Sequence, residues 1–107
     1  MDTQTFEALI ADIECGAMDL FRLKTKDYAN EDVLSNFKRM STLISTLLRK
    51  EITPSDMAMI LVCLKMDRLQ NLKGRSPENE SVKDTWLDLI NYLSLYFALE
   101  KESADGA

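Results

Sequence analysis

Acidic side chains recur on one side of the segment ESVKDTWLDLINY, residues 80–92. Glu80, Asp84 and Asp88 are spaced four residues apart, and Asn91 follows three residues later. On an α-helix these four side chains lie within an arc of about 80°. Carboxylates are preferred ligands of Mg²⁺, which in turn binds phosphate oxygens. The segment therefore predicts one wall of a Mg²⁺ and phosphate site, with Glu80, Asp84 and Asp88 as metal ligands.

The same pattern also fits the solvated face of an ordinary amphipathic helix. Two features count against that alternative. Carboxylates four residues apart repel one another, and Lys83 is the lysine that lies close to them in the segment. In addition, Leu87, Leu95 and Leu99 border the acidic arc, so we expect part of it to be covered. A covered carboxylate needs a cation or an arginine beside it, because an unpaired buried charge is costly.

A second group of charges lies at the end of the preceding apolar segment, in KMDRLQNL. Asp67 extends the predicted set of metal ligands, while Lys65 and Arg68 are candidates to hold phosphate oxygens. Two plainer alternatives remain open. In the first, these residues are charges at the surface of the fold. In the second, Arg68 forms an ion pair with a carboxylate of the last helix.

A third group lies in KTKDYANEDVLSNF, residues 24–37. Lys26 is a candidate phosphate ligand, and the ring of Tyr28 or Phe37 is a candidate to stack on a base. Asn36 adds an amide group at the same junction. The alternative is that Phe37 belongs to the core and that Tyr28 packs over a loop.

Apolar spacing of three and four residues predicts the helices that carry these groups. The expected helices cover about residues 4–24, 31–49, 54–72 and 79–100, and Thr53-Pro54 is a strong start signal for the third. The fold class is therefore all-α, a four-helix bundle formed by one domain over residues 1–100. The tail KESADGA, residues 101–107, is expected to fray.

Two helices have apolar faces that need covering. The third helix is apolar almost all round in MAMILVCL, residues 57–64, which predicts a surrounded helix or an oligomer contact. We therefore expect a homodimer or tetramer. The predicted core face of the fourth helix comprises Val82, Trp86, Leu89, Ile90, Leu93, Tyr96 and Phe97.

Composition excludes several classes of function. The 107 residues carry a net charge of −5 and no basic cluster, so direct DNA or RNA binding is not expected. The absence of histidine excludes Ser-His-Asp catalysis and histidine zinc sites. The longest apolar run is too short to cross a bilayer, and the N-terminus does not resemble a signal peptide. We expect a cytoplasmic protein in which Cys15 and Cys63 are reduced core residues, with a disulfide between them as the alternative.

Four short motifs follow one another at suitable spacing within residues 20–98. They are KDY at 26–28, SNF at 35–37, KxDRL at 65–69 and ESxxDTxxDLxNY at 80–92. Together they resemble the nucleotide-modification-associated domain, first type, a small family of phages and bacteria. That family is similar to the all-α nucleotide pyrophosphatases of the MazG and dimeric dUTPase kind, which use Mg²⁺ to release pyrophosphate from nucleoside triphosphates.

The resemblance implies a nucleotide site with named residues. Asp84 and Asp88 would be catalytic, and the metal ligands would be Asp67, Glu80, Asp84 and Asp88. The nucleotide would contact Lys26, Tyr28, Asn36, Lys65, Arg68 and Asn91.

The chain departs from the family pattern in two ways, because Ala29 replaces a usual glycine and the helix-four acids are four residues apart. Binding of a nucleotide without hydrolysis is therefore an alternative. Another is a small acidic protein that inhibits or adapts a host protein.

Overall fold

The protein is all-helical throughout the part that the computed structural model describes, namely residues 1–27, 32–75 and 81–106. Of residues 26 and 27 it describes the backbone alone. The four helices are α1 (Thr3–Asp27), α2 (Ser35–Leu48), α3 (Pro54–Asn71) and α4 (Val82–Asp105). These ranges contain no strand, which confirms the predicted all-α class and the order of its helices. None of the described helices is long and apolar enough to span a membrane.

Local sequence signals explain where the helices begin. The Thr53 side chain accepts a hydrogen bond from the Asp56 backbone N–H, and the Asp56 carboxylate accepts one from the Thr53 N–H. This reciprocal cap and Pro54 fix the start of α3 where the sequence predicts it. The Ser81 side chain likewise caps α4 by accepting from the Asp84 N–H. At the other end α4 continues through Asp105, so most of the tail that was expected to fray is helical.

The core lies between α2, α3 and α4. Its buried side chains are Leu34, Phe37, Met57, Ala58 and Leu99. Helix α3 packs against both α2 and α4. Met57 and Ala58 of α3 are buried, but Ile60 and Leu64 are exposed, so one chain covers α3 on one side only and does not surround it. Phe37 is a core residue, which was the alternative to its stacking on a base.

Helix α1 is held differently, because within the described residues it packs against α4 alone. The two helices approach closely at Gly16, where an added Cβ atom would lie 3.3 Å from both methyl carbons of Leu87. Ala17 is buried beside this crossing. Phe6 and Leu9, in the N-terminal half of α1, are 53% and 41% exposed, so the apolar stripe of α1 is only partly covered.

Two sequence expectations about burial are wrong. Cys15 and Cys63 are free thiols as predicted, but both are exposed and neither is a core residue. On α4, Trp86 and Phe97 are also exposed although their spacing predicted the core face, whereas Leu89 of the same set is buried. The buried side of α4 includes Thr85 and Asp88, which contact Arg68 and Lys65 of α3.

Candidate functional site

A groove of about 450 Å³ lies between α1 and α2. It exists because α1 and α2 do not pack against each other in the described part of the chain, while both rest on the α3–α4 pair. Volumes of this size are typical of small-molecule sites. The residues that line the groove are Phe21, Lys24, Thr25, Asp32, Val33, Ser35, Asn36, Phe37, Arg39, Met40, Leu61, Asp88, Asn91, Tyr92 and Leu95.

Asp88 lies at the floor of the groove between two lysines. Lys24 Nζ is 2.7 Å from Asp88 Oδ1, and Lys65 Nζ is 2.9 Å from Asp88 Oδ2. The side chain of Asp88 is 6% exposed and that of Lys65 is 14% exposed, whereas 47% of the Lys24 side chain is open to solvent. This triad, Lys24–Asp88–Lys65, joins α1, α3 and α4 and carries a net charge of +1.

The lysines determine the ionisation of the triad. Burial by itself raises the pKa of the Asp88 carboxyl, but the hydrogen bonds from Lys24 and Lys65 outweigh burial and hold this pKa below its usual value. Asp88 is therefore a carboxylate at neutral pH. Both of its oxygens accept a charge-assisted hydrogen bond, which is a strong interaction in a partly dry site.

A second set of polar groups lies at the start of α2. Asp32 accepts hydrogen bonds from the Leu34 N–H at 2.9 Å and from Lys38 Nζ at 2.7 Å, and these two bonds lower the pKa of its carboxyl. Asn36 accepts a hydrogen bond from the exposed Arg39 guanidinium. Arg39 forms no ion pair with a carboxylate among the described residues, so its charge is available to an anion in the groove.

Most of the other side chains that line the groove are apolar or aromatic. Phe21 comes from α1, Met40 from α2, and Tyr92 and Leu95 from α4. Flat rings and a thioether offer contact area to a planar ligand. The groove is therefore suited to a ligand with one anionic part and one flat, weakly polar part.

Four of the candidate residues named from the sequence line this groove, namely Asn36, Phe37, Asp88 and Asn91. Asp88 is at its floor, Asn36 is on the α2 side, and Asn91 lines its wall. The Asn91 amide also donates a hydrogen bond to the Ala17 carbonyl at 2.9 Å, so it fastens α4 to α1. Lys65 does not line the groove, but it forms an ion pair with Asp88, which does.

The other predicted residues are not gathered there. Arg68 Nε donates to the hydroxyl of the buried Thr85 at 3.2 Å. Asp67 accepts from the Asn71 amide at 3.2 Å and is exposed, and Asp84 is an exposed residue of the first turn of α4. Lys65 of α3 is the cation that contacts Asp88, and the alternative in which Arg68 pairs with a helix-four carboxylate stays a prediction.

The predicted metal site is only partly within the described residues. Glu80, Tyr28 and the side chain of Lys26 lie outside them. Inside them, no group of three acidic or cysteine side chains is close enough to hold a metal ion. Asp88 accepts hydrogen bonds from two lysines, and the Mg²⁺ site stays a prediction.

Several groove residues were missed at the level of sequence. Lys24, Arg39, Tyr92 and Phe21 line the groove but were not proposed as ligands. One signal was present for Lys24, which lies one and two turns after Phe21 and Ala17 on the inner side of α1. A lysine at an inward position of α1 and an aspartate at an inward position of α4 are complementary charges.

The chain matches a known protein family. Residues 24–100 match the family model described as Domain of unknown function (DUF6378). The chain belongs to the DUF6378 family. The matched region begins at Lys24, in the last turn of α1, and covers α2, α3 and most of α4. No curated protein and no solved structure matches the chain.

Proposed function

We propose that the groove of this DUF6378 protein binds a nucleotide or a nucleotide-derived anion. The observation that carries the proposal is the Lys24–Asp88–Lys65 triad, in which two ammonium groups share one carboxylate. Lys24 and Arg39 place two cationic side chains at this mostly apolar groove, in a protein whose net charge is −5. A local positive charge on an acidic protein selects for an anionic group at that position.

The chemistry of the walls supports a nucleotide over a simple anion. Lys24 is half exposed and can bind a phosphate oxygen while it keeps its contact with Asp88. Arg39 lies across the groove and can hold the same phosphate group in two hydrogen bonds. Phe21 and Tyr92 offer faces on which a base can stack. The motif resemblance to nucleotide-modification-associated domains agrees with this class of ligand.

Hydrolysis is a separate matter from binding. The resemblance implies a Mg²⁺-dependent pyrophosphohydrolase that uses Asp84 and Asp88 together with Asp67 and Glu80. Because the oxygens of Asp88 already accept hydrogen bonds from two lysines, we favour direct contact between lysine and phosphate, without metal and without turnover. The protein would then sequester a nucleotide.

We further propose that the protein acts as a homodimer or tetramer in the cytoplasm, and in the host cytoplasm if it is encoded by a phage. A fold related to MazG is part of the same proposal. The alternative role, in which an acidic helical protein inhibits or adapts a host protein, predicts no stabilisation by any nucleotide.

Thermal unfolding with a panel of nucleoside mono-, di- and triphosphates, with and without Mg²⁺, tests the proposal. A ligand at a hundred times its dissociation constant stabilises a protein by about 2.7 kcal/mol, which raises the Tm of a domain of this size by on the order of 10 °C. We expect this shift in the absence of Mg²⁺, with no release of pyrophosphate. A panel that leaves the Tm unchanged under both conditions would contradict nucleotide binding.

A further inference from the structure

One face of α4 carries large apolar side chains that a single chain leaves open to solvent. Val82 is 37% exposed, Trp86 50%, Leu93 46% and Phe97 69%. Their separations of four, seven and four residues place them on one side of the helix, and together they are called the α4 stripe. The periodicity of the sequence predicts that this face is buried. In a single chain, however, these side chains stay exposed.

The surface area of the chain is also large for its mass. The accessible surface is 8036 Å² for 12.2 kDa, whereas a compact monomer of this mass exposes about 6,100 Å². The radius of gyration is 15.9 Å, against about 13 Å for a compact domain of this length. The excess of about 2,000 Å² per chain is in the range that a stable subunit interface covers.

A groove adjoins the N-terminal end of the α4 stripe. It has a volume of about 410 Å³ and lies between the end of α3 and the start of α4. Most of its lining is apolar, from Met66, Leu69, Leu72, Val82, Trp86 and Leu89. It can therefore receive a large apolar side chain from a partner.

The spacing of the α4 stripe is symmetric. The midpoint between Trp86 and Leu93 coincides with the midpoint between Val82 and Phe97, and both fall between residues 89 and 90. Two antiparallel copies of α4 related by a two-fold axis at this point bring Trp86 opposite Leu93 of the second copy. The same operation brings Val82 opposite Phe97 of the second copy. Self-complementarity of this kind is what a two-fold interface between identical chains requires.

We propose that the α4 stripe is the contact surface of a two-fold symmetric homodimer in which the α4 helices pack antiparallel. Phe97 of each copy enters the groove beside Val82 and Trp86 of the other. This assigns dimerisation to α4, with Met66 of α3 at the edge of the contact. The surface is distinct from the Lys24–Asp88–Lys65 groove and does not depend on what that groove binds.

Trp86 is the single tryptophan of the chain, so its fluorescence reports on this surface directly. Size-exclusion chromatography with light scattering should give twice the 12.2 kDa mass of one chain. On dilution, loss of the dimer and a shift of the Trp86 emission to longer wavelength should follow the same curve. A monomer at every concentration overturns the proposal, and so does an emission maximum that does not change while the dimer dissociates.

Single substitutions test whether the α4 stripe is the contact surface of the dimer. Phe97→Glu and Leu93→Glu should each raise the dissociation constant of the dimer by on the order of a hundredfold, because each places a charge in a desolvated contact. Leu47→Glu is the matched control, since Leu47 on α2 is 68% exposed and lies outside the α4 stripe. Far-ultraviolet circular dichroism verifies that all three variants remain helical. A dimer that survives both α4 substitutions, or that dissociates in Leu47→Glu instead, overturns the assignment to α4.

Discussion

Lys24 Nζ lies 2.7 Å from Asp88 Oδ1, although 64 residues separate the two in the chain. The contact joins the last turn of α1 to the second turn of α4 at the floor of the groove. Lys65 binds the other oxygen of the same carboxylate at 2.9 Å. One aspartate of α4 therefore holds a cation of α1 and a cation of α3.

Asp88→Asn should lower the free energy of unfolding at neutral pH by roughly 2 kcal/mol, because hydrogen bonds between charged partners are lost. The pKa of Asp88 is lowered in the folded protein, since the lysines outweigh the effect of burial. Its contribution to stability is therefore complete above the unfolded carboxyl pKa of about 4, and is lost as the pH falls through the lower pKa of the folded state. Urea unfolding between pH 2.5 and 7 measures both effects.

Asp105→Asn is the control for that experiment, because Asp105 forms an exposed pair with Lys101 four residues earlier. Exposed pairs contribute little, so this variant should match the parent protein at every pH. If the deficit of Asp88→Asn has the same size at pH 2.5 as at pH 7, its origin is not the ionised carboxylate.

Lys24→Gln should weaken nucleotide binding about tenfold, since one charge-assisted contact with phosphate corresponds to about 1.4 kcal/mol. The half-exposed Lys24 is the lysine of the triad that a ligand can reach, whereas Lys65 is largely covered. Lys65→Gln should therefore lower the Tm more than Lys24→Gln does. Calorimetric titration of the nucleotide that gives the largest thermal shift measures the affinity. Lys101→Gln removes an exposed lysine of α4 and serves as the control, and equal affinity of Lys24→Gln and Lys101→Gln would argue against the groove.

The helices were predictable from the sequence, while the side of α4 that faces the core was not. Caps such as Thr53-Pro54 and the spacing of apolar residues are local signals, and they give helix boundaries within a few residues of those observed. Periodicity cannot tell which of two faces meets a neighbour within the chain. The α4 stripe, which contains Trp86, has the apolar pattern but is exposed. The side with Asp88 is buried, and two lysines compensate the charge of its carboxylate.

The candidate site was predictable only in part for a related reason. Asp88 and Asn91 were found because polar residues at regular spacing on a helix are visible in one segment, whereas Asn36 was found through its place in KTKDYANEDVLSNF. Lys24 and Arg39 were missed, because their relation to Asp88 depends on how α1 and α2 cross the α3–α4 pair. Such long-range geometry leaves no spacing rule in a single sequence.

Asp84→Asn and Asp67→Asn distinguish direct binding by lysine from binding through a metal. Both side chains are exposed, so each substitution should change stability by less than about 0.5 kcal/mol. With direct binding, the nucleotide-induced rise in Tm is the same for both variants as for the parent protein. Glu80→Gln belongs in the same series, because Glu80 completes the predicted set of metal ligands. Mg²⁺-dependent stabilisation or pyrophosphate release that disappears in Asp84→Asn would establish the metal site instead.

Thr85→Val tests the hydrogen bonds that connect α3 to the start of α4. Thr85 is wholly buried, and its hydroxyl accepts from Arg68 Nε and donates to the Ser81 carbonyl, each at 3.2 Å. Valine keeps the shape and removes the hydroxyl, so we expect a loss of about 1–2 kcal/mol in the free energy of unfolding. Thr42→Val is the matched control, because the Thr42 hydroxyl donates to the Lys38 carbonyl on the exposed side of α2. Urea unfolding should place that control within about 0.5 kcal/mol of the parent protein, and a Thr85→Val variant of equal stability would show that the Arg68 contact does not hold α3 against α4.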